Sequence, residues 1–175
     1  MIAEYVYNPA CMGIIQTKGG KTMETRKMKR VADSYTTQVQ LLTPANMNGY
    51  NRLFGGTMMS WMDVVAGVVA RRHSERNVTT ACVEDLTFRA AAHVNDTLML
   101  TGYVTYVGRT SMEICVNVYV EALNGERSMI NQAHFVMVAL DEKERPVEVP
   151  GLILETEQQK REWEEALERK KLREK

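Results

Sequence analysis

Hydrophobic and polar residues alternate most regularly in the third quarter of the chain. In the run Arg109–Ala122, every second residue from Met112 to Val120 is apolar, and most residues between them are polar. A period of two is typical of a β-strand with one buried face. Three more runs have strand length and composition, namely Thr79–Arg89, Thr97–Val107 and Arg127–Leu140. Together they predict four consecutive antiparallel strands.

Turn signals support this reading. Asn124-Gly125 stands between the last two runs, and both central residues of a type I′ turn need positive φ, so the pair predicts a hairpin with that turn. Earlier in the chain, Tyr35–Leu42 is rich in Thr, Val and Tyr and predicts a further strand. The Pro, Asn and Gly residues that follow it indicate an irregular loop.

The segment from Phe54 to His73 has a helical pattern instead. After Gly55-Gly56 it is apolar on nearly every side, and it ends in basic residues, which suit the negative end of a helix dipole. A helix that is apolar all round is normally buried. The pattern therefore predicts a long buried helix in which Asp63 is the one charged interior residue. One strand, one helix and four antiparallel strands make an α+β fold, with the sheet wrapped around or lying against the helix.

We assign the core to residues 34–150, and a tail flanks it at each end. Residues 1–33 carry six basic and three acidic side chains without sustained periodicity, and they predict a flexible N-terminal arm. Translation could also start at Met23 or Met28. Residues 151–175 form a C-terminal extension, in which the charged stretch from Thr156 to Lys175 predicts a helix that packs on its own core or on another subunit.

Composition excludes several classes of protein. The chain has 175 residues, 45% hydrophobic and 25% charged, as expected for one folded domain. Its 22 basic and 22 acidic residues balance, so no positive field favours nucleic acid. No apolar run is long enough to span a membrane or to act as a secretion signal, and the three widely spaced cysteines fit a reducing cytoplasm.

Asp63 is the first candidate for chemistry. An ionised carboxylate buried without a partner costs several kcal/mol, so the chain must either pair this residue or use it. Small neighbours at helical spacing leave space beside it, although an arginine or a backbone amide from the sheet could also pair it. The N–H of Gly56, at the positive end of the helix, is a natural oxyanion donor, but the two glycines could also serve only to turn the chain.

Other polar residues carry weaker signals. Asn46 and Asn48 suit an ordinary turn, and Arg52, Arg89 and Arg109 could meet phosphates or remain solvated. The three histidines lack metal-ligand spacing, so we expect no metal. Cys82 and Cys115 are expected to be small residues of the sheet.

An ordered set of motifs resembles one family. Asn46-x-x-Gly49, Phe54-Gly55-Gly56, Trp61-Met62-Asp63 and Ala66-Gly67 are similar to a segment of the hotdog-fold acyl-CoA thioesterases, in the group of the brain-type and bacterial YciA-like enzymes. The resemblance continues through FRAAAHVNDTLML, VGRTS and RPVEVPGLILET and covers residues 35–175. Two positions depart from the family pattern: Phe54 replaces a frequent His, and Asn95 replaces a usual Gly.

The resemblance implies an antiparallel sheet around one central helix, pairing of two subunits, and active sites at their interface. It implies homodimers that assemble as a trimer of dimers. It also gives Asp63 and Asn46 catalytic roles, contributed by different subunits, and places the oxyanion hole at Gly56. Coenzyme A contacts are implied for Arg89 and for the segment Gly108, Arg109, Thr110 and Ser111.

The expected function is hydrolysis of a fatty acyl-CoA to a free fatty acid and coenzyme A, without a separate cofactor. In the expected mechanism Asp63 is a general base on water or a direct nucleophile, and Asn46 orients water or the carbonyl. Two alternatives stay open. One is a hotdog dehydratase acting on hydroxyacyl thioesters, and the other is a non-catalytic regulator that binds acyl-CoA.

Overall fold

The computed structural model describes residues 26–173. In chain order its elements are β1 (Met28–Arg30), β2 (Thr36–Leu41), α1 (Gly55–Ser74), β3 (Asn77–Phe88), β4 (Thr97–Val107), β5 (Ser111–Glu121), β6 (Arg127–Leu140), β7 (Gly151–Ile153) and α2 (Glu157–Arg173). Five of the strands form one antiparallel sheet in the order β2-β4-β5-β6-β3. The five predicted strands are therefore confirmed, as is the α+β class.

The hairpin between β5 and β6 is also present, but the prediction of its turn type was wrong. Gly125 has a φ of 85°, whereas Asn124 is not among the residues with positive φ. The N–H of Gly125 donates to Ala122 O at 2.8 Å, and Ala122 N donates to Glu126 O at 2.8 Å. The loop thus needs only one left-handed residue, which Gly125 supplies.

Helix α1 lies against one face of the sheet and buries only one of its own sides. Met62, Val65, Ala66 and Val69 are at most 1% exposed. Close packing depends on Gly102, because a Cβ there would lie 2.6 Å from Val65 Cγ1. The opposite side of the helix is open.

The prediction of a helix buried on every side was therefore wrong for the single chain. Asp63 is exposed, and Val64 beside it is 53% exposed. The physical reason is that a five-stranded sheet covers one face of a helix and leaves the other to solvent or to another subunit.

Part of the predicted N-terminal arm belongs to the fold. Strand β1 pairs in parallel with β7, and Val31 beside it is 6% exposed. The Arg26 guanidinium donates to Val149 O at 2.8 Å and to Gly108 O at 2.6 Å. Structure therefore begins ahead of the expected boundary at residue 33, because the basic side chains bind carbonyl groups of the core. Residues 1–25 of the predicted arm lie outside the described residues.

Helix α2 packs on the outer face of the sheet, opposite α1. The Tyr103 hydroxyl donates to Glu162 Oε1 at 3.0 Å, and the rings of Tyr106 and Trp163 lie 4.6 Å apart. Glu113 of β5 is 2% exposed, and Arg169 of α2 contacts both of its carboxylate oxygens. The C-terminal helix is therefore held on its own chain by a buried ion pair as well as by apolar packing.

Asn95 explains how the chain tolerates its departure from the family's usual glycine. Its φ is 71°, in the left-handed region that glycine enters freely and asparagine enters more easily than most residues.

None of the helices in residues 26–173 is both long and apolar enough to cross a membrane.

Candidate active site

Asp63 lies in the third turn of α1, on its exposed side, facing the edge strand β3. Thr80 donates its hydroxyl to Asp63 Oδ1 over 2.6 Å. Thr80 is directly opposite Met137 of β6, a buried core residue, so its side chain points toward α1. A neutral hydroxyl therefore orients the carboxylate without neutralising it.

The alternative of a closed ion pair at Asp63 does not hold in the described part of the chain. No Lys, Arg or His nitrogen among residues 26–173 is recorded within 4.0 Å of its oxygens. Its neighbours at helical spacing are Met59, Ser60, Ala66 and Gly67, and the Asp63 side chain stays exposed beside them. The second carboxylate oxygen thus remains available for a water molecule or a substrate.

The first turn of α1 offers backbone donors. Its first intrahelical bond runs from Met58 N to Phe54 O at 3.1 Å, and no side chain caps the helix. The N–H groups of Gly55, Gly56 and Thr57 therefore lie ahead of the helical ladder. A Cβ on Gly56 would lie 2.6 Å from Phe54 Cε1, so glycine is required for the Phe54 ring to pack over this turn.

Asn46 and Asn48, in the loop before α1, are placed differently. Asn46 Oδ1 accepts bonds from the backbone N and the hydroxyl of Thr43, both at 2.8 Å, so its amide closes a short turn. Asn48 Oδ1 accepts from Tyr50 N at 2.9 Å, and its side chain is half-buried. Only Asn48 also lines the cavity beside the start of α1.

That cavity has a volume of about 450 Å³ and lies between the start of α1 and the end of β3. Its polar lining residues are Asn48, Arg52 and Arg89, and its apolar lining includes Leu53, Met58, Phe88 and Ile130. A wall of this kind suits a ligand that has an apolar arm and an anionic group. A larger groove of about 580 Å³ lies at the other end of α1, but none of the predicted site residues lines it.

The predicted coenzyme A contacts fall into two separate places within one chain. Arg89 N donates to Ile130 O, whereas Thr110 O accepts from Ala139 N, nine residues further along β6. At about 3.3 Å per residue, the two places are about 30 Å apart. Arg89 therefore lies at one end of the sheet, and the segment Gly108, Arg109, Thr110 and Ser111 lies at the other.

The remaining titratable candidates are structural. Burial raises the pKa of the Cys115 thiol to about 11, which keeps it protonated, and both Cys82 and Cys115 lie in strands as expected. His73 is fully buried in α1, and its Nε2 is 3.1 Å from Pro150 O. Burial lowers the pKa of His73 and that of His134. Within residues 26–173, no group of three His, Cys, Asp or Glu residues could hold a metal ion.

Thr80 is the site residue that sequence reasoning missed. In one sequence it is simply a β-branched residue of a strand, and no local signal links it to Asp63. The contact depends on how α1 crosses β3, which is a property of the folded chain.

An antiparallel sheet that packs on one long helix, with uncapped amides at the start of that helix and an exposed carboxylate in its third turn, is the arrangement of the hotdog class of thioesterases. A family model described as "Thioesterase superfamily" matches residues 50–124, which include α1 and strands β3, β4 and β5. The chain is also 36% identical over 138 residues to the uncharacterized acyl-CoA thioester hydrolase YkhA of Bacillus subtilis, covering 78% of this chain and 80% of that protein. The chain therefore belongs to the hotdog-fold acyl-CoA thioester hydrolases.

Solved structures agree with this assignment. An apo-hexameric acyl-CoA thioesterase shares 37% identity and a TM-score of 0.81 with this chain, over 85% of this chain and 96% of that one. The acyl-CoA hydrolase of Staphylococcus aureus, in complex with butyryl coenzyme A, coenzyme A and coenzyme A disulfide, shares 28% identity and a TM-score of 0.79, over 84% and 92%.

The S. aureus enzyme has also been solved with alanine in place of an asparagine, an aspartate and a threonine. These three positions are successively 15 and 17 residues apart in that chain.

A more distant relative is the cytosolic acyl coenzyme A thioester hydrolase of Rattus norvegicus, 32% identical over 138 residues. The match covers 77% of this chain but 36% of the rat protein, so this chain spans about a third of that relative. The expected enzyme class, an acyl-CoA thioester hydrolase, is confirmed by these comparisons.

Proposed function

We propose that this chain hydrolyses fatty acyl-CoA to a free fatty acid and coenzyme A, at a site built by two copies of the chain. The observation that carries the proposal is the Asp63 carboxylate, exposed on α1, oriented by the Thr80 hydroxyl at 2.6 Å and without a cationic partner among the described residues. A carboxylate in this state can accept a proton from water.

The asparagine of the site is proposed to be Asn48, with Asn46 as the alternative drawn from the motif. Asn48, Asp63 and Thr80 are successively 15 and 17 residues apart, the same spacing as the three positions changed in the S. aureus enzyme. Asn48 also lines the cavity at the start of α1, where Asn46 does not. This spacing supports Thr80 as a further member of the site.

The proposed reaction follows from these groups. Asp63 takes a proton from a water molecule while the water oxygen attacks the thioester carbon. The negative charge that develops on the carbonyl oxygen is stabilised by the Gly56 N–H and the positive end of α1. The carbon–sulfur bond then breaks, coenzyme A leaves as a thiolate that takes up a proton, and the fatty acid remains. Direct attack by Asp63 on the thioester is the second possible route.

The proposal that the site spans two chains is supported by distances along α1. Gly56 and Asp63 are seven residues apart, which is about 10 Å along a helix axis. A thioester held at Gly56 of one chain is better reached by Asp63 of a partner if two α1 helices face each other through their exposed sides. Arg89 and the segment 108–111 are about 30 Å apart within one chain. We therefore expect one coenzyme A molecule to contact Arg89 of one chain and the segment 108–111 of another.

Strand β3 is the proposed edge for this pairing. It is the last strand of the sheet, has 12 residues, and is largely exposed. An unpaired edge strand presents a row of backbone donors and acceptors that a second copy can complete. The hexamer named for the similar thioesterase supports a further assembly into a trimer of dimers.

The proposed location is the cytoplasm, supported by the cysteine spacing and by the cytosolic relative. Proposed partners are the acyl-CoA substrate and further copies of the chain, without nucleic acid or membrane. Residues 34–150 remain the proposed catalytic domain, and residues 151–175 remain its C-terminal extension.

Release of free thiol from a series of short to long acyl-CoAs tests the proposal. Asp63→Ala should reduce turnover by more than about a hundredfold, since general bases typically contribute 10²–10⁴. Glu142→Ala is the matched control, because that carboxylate is exposed and lies in the loop after β6. Full activity of Asp63→Ala would reject the assignment. Binding of acyl-CoA by the unaltered chain without thiol release at any chain length would favour a sensor.

A further inference from the structure

Two arginines, Arg52 and Arg89, line the cavity of about 450 Å³ beside the start of α1. Both residues are exposed, whereas Leu53, Met58 and Ile130, which also line the cavity, are buried. The cavity therefore has cationic residues where it opens to solvent and an apolar wall further in.

Neither positive charge is neutralised within the described part of the chain. The residues that line the cavity include no aspartate or glutamate, and no carboxylate oxygen of residues 26–173 is recorded within 4.0 Å of either guanidinium group. Among the same residues, the Arg89 guanidinium donates only to the neutral Gln132 Oε1, at 3.4 Å, and the Arg52 guanidinium has no recorded acceptor. Two like charges at one cavity repel each other, so a bound anion would be stabilised there.

The loop that carries Arg52 is fixed by backbone hydrogen bonds. Asn48 N donates to Arg52 O at 2.8 Å, and Arg52 N donates to Asn48 Oδ1 at 3.2 Å. Leu53 N donates to Ala92 O at 2.8 Å, which joins the loop to the segment after β3 that begins at Arg89. The two arginines are therefore held beside the turn that places Asn48, the asparagine proposed for the active site.

The chemistry of an acyl-CoA identifies the anion. The thioester, the pantetheine arm and an unsubstituted fatty acyl chain are neutral, so the phosphates of the nucleotide are its only anionic groups. Arginine suits a phosphate, because its planar fork of N–H donors can bind two phosphate oxygens at once. Gly55, in the turn that offers the proposed oxyanion donors, lines the same cavity. A coenzyme A arm that leaves this turn through the cavity would therefore meet both cations.

We propose that Arg52 is a specificity-determining residue that binds a phosphate of coenzyme A together with Arg89, so that the chain selects coenzyme A thioesters over pantetheine thioesters that lack the nucleotide. This inference rests on the proposed function, because it concerns the same substrate and the same site. The family resemblance implies a coenzyme A contact for Arg89 but none for Arg52, which enters through the cavity that the two residues share.

The test measures KM and kcat for octanoyl-CoA, octanoyl-dephospho-CoA and S-octanoylpantetheine in the unaltered chain and in Arg52→Gln. The KM for octanoyl-CoA should rise by about 5- to 50-fold in the variant, as expected for the loss of a partly solvated, charge-assisted hydrogen bond. Its kcat should change much less, because the contact is the same in the ground state and the transition state. The KM for S-octanoylpantetheine should change by less than about twofold, because this substrate has no phosphate.

The dephospho substrate shows which phosphate Arg52 binds, since it lacks only the 3′-phosphate. A rise in KM for octanoyl-CoA alone would assign the contact to the 3′-phosphate, and a rise for both nucleotide substrates would assign it to the diphosphate. Either result supports the inference. An equal rise for all three substrates, or an unchanged KM for octanoyl-CoA, would overturn it.

Arg161→Gln is the matched control. It removes an exposed arginine from α2, on the opposite face of the sheet from α1, and should leave all three KM values unchanged. Arg52→Lys keeps the positive charge without the planar fork, and it should retain part of the affinity.

Calorimetric titration with coenzyme A alone separates this inference from the proposed function, because it needs no turnover. The Kd for coenzyme A should rise by about 5- to 50-fold in Arg52→Gln and stay unchanged in Arg161→Gln. Absence of hydrolysis of all three substrates by the unaltered chain would count against the proposed function. In that case an unchanged Kd in Arg52→Gln would still overturn the inference, and a raised Kd would still support it.

Discussion

Replacing Thr80 by valine removes the hydroxyl that orients Asp63 and keeps the shape of the side chain. The bond it removes joins a hydroxyl to a carboxylate over 2.6 Å. Hydrogen bonds to charged groups contribute about 1.5–3 kcal/mol, and each 1.36 kcal/mol changes a rate tenfold. If the bond persists in the transition state, Thr80→Val should lower kcat/KM by about 10- to 150-fold. The assay is thiol release from one acyl-CoA at several concentrations.

Two further variants separate orientation of Asp63 from a general effect on the edge strand. Thr80→Ser keeps the hydroxyl and should retain most of the activity. Thr79→Val changes the neighbouring residue of β3, whose side chain points to the other face, and should have little effect. Activity of Thr80→Val within about twofold of the unaltered chain would refute the reasoning. An equal loss in Thr79→Val would show that the strand, and not the hydroxyl, is responsible.

Three other outcomes are expected. Gly56→Ala should lower kcat more than it raises KM, because the added Cβ would lie 2.6 Å from Phe54 Cε1 and the exposed ring must then move off the turn that carries the proposed oxyanion donor; unchanged kcat would contradict that role. Burial lowers the pKa of His73 and that of His134, so below the unfolded-state histidine pKa of about 6.5 the unfolded chain binds more protons than the folded chain. The melting temperature should therefore fall from pH 7 to pH 5. Replacing both histidines by Gln should make the melting temperature depend less on pH. Arg169→Met should lower the free energy of unfolding, measured by urea denaturation, by about 3–5 kcal/mol, because it leaves the buried Glu113 carboxylate unpaired. Unchanged stability would show that α2 contributes little.

Most of the fold could be predicted from local patterns. Alternation in β5 and the strand-length runs around it predicted the five main strands, because a period of two indicates a strand with one buried face. Strands β1 and β7 have three residues each and pair with each other across 120 residues of sequence, so no local pattern reveals them. The turn after β5 differs from the expected type because Gly125 alone supplies the left-handed residue.

The site was predictable only in part. Asp63 and Gly56 stood out because a charge in an apolar helix and two glycines at its start are unusual in any sequence. The contact of Thr80 with Asp63 arises from the crossing of α1 over β3, which no local pattern in the sequence reports. Asp63 looked buried in the sequence because the helix is apolar on both sides, whereas one chain covers only one of them.

The central claim is that Asp63 and a loop asparagine of different chains form one catalytic site. The most direct measurement mixes purified Asp63→Ala and Asn48→Ala chains, lets the subunits exchange, and follows thiol release. In a two-fold dimer each mixed pair holds one intact site, so an equal mixture should recover about a quarter of the unaltered activity. Mixed dimers verified by mass spectrometry that recover no activity would contradict the account.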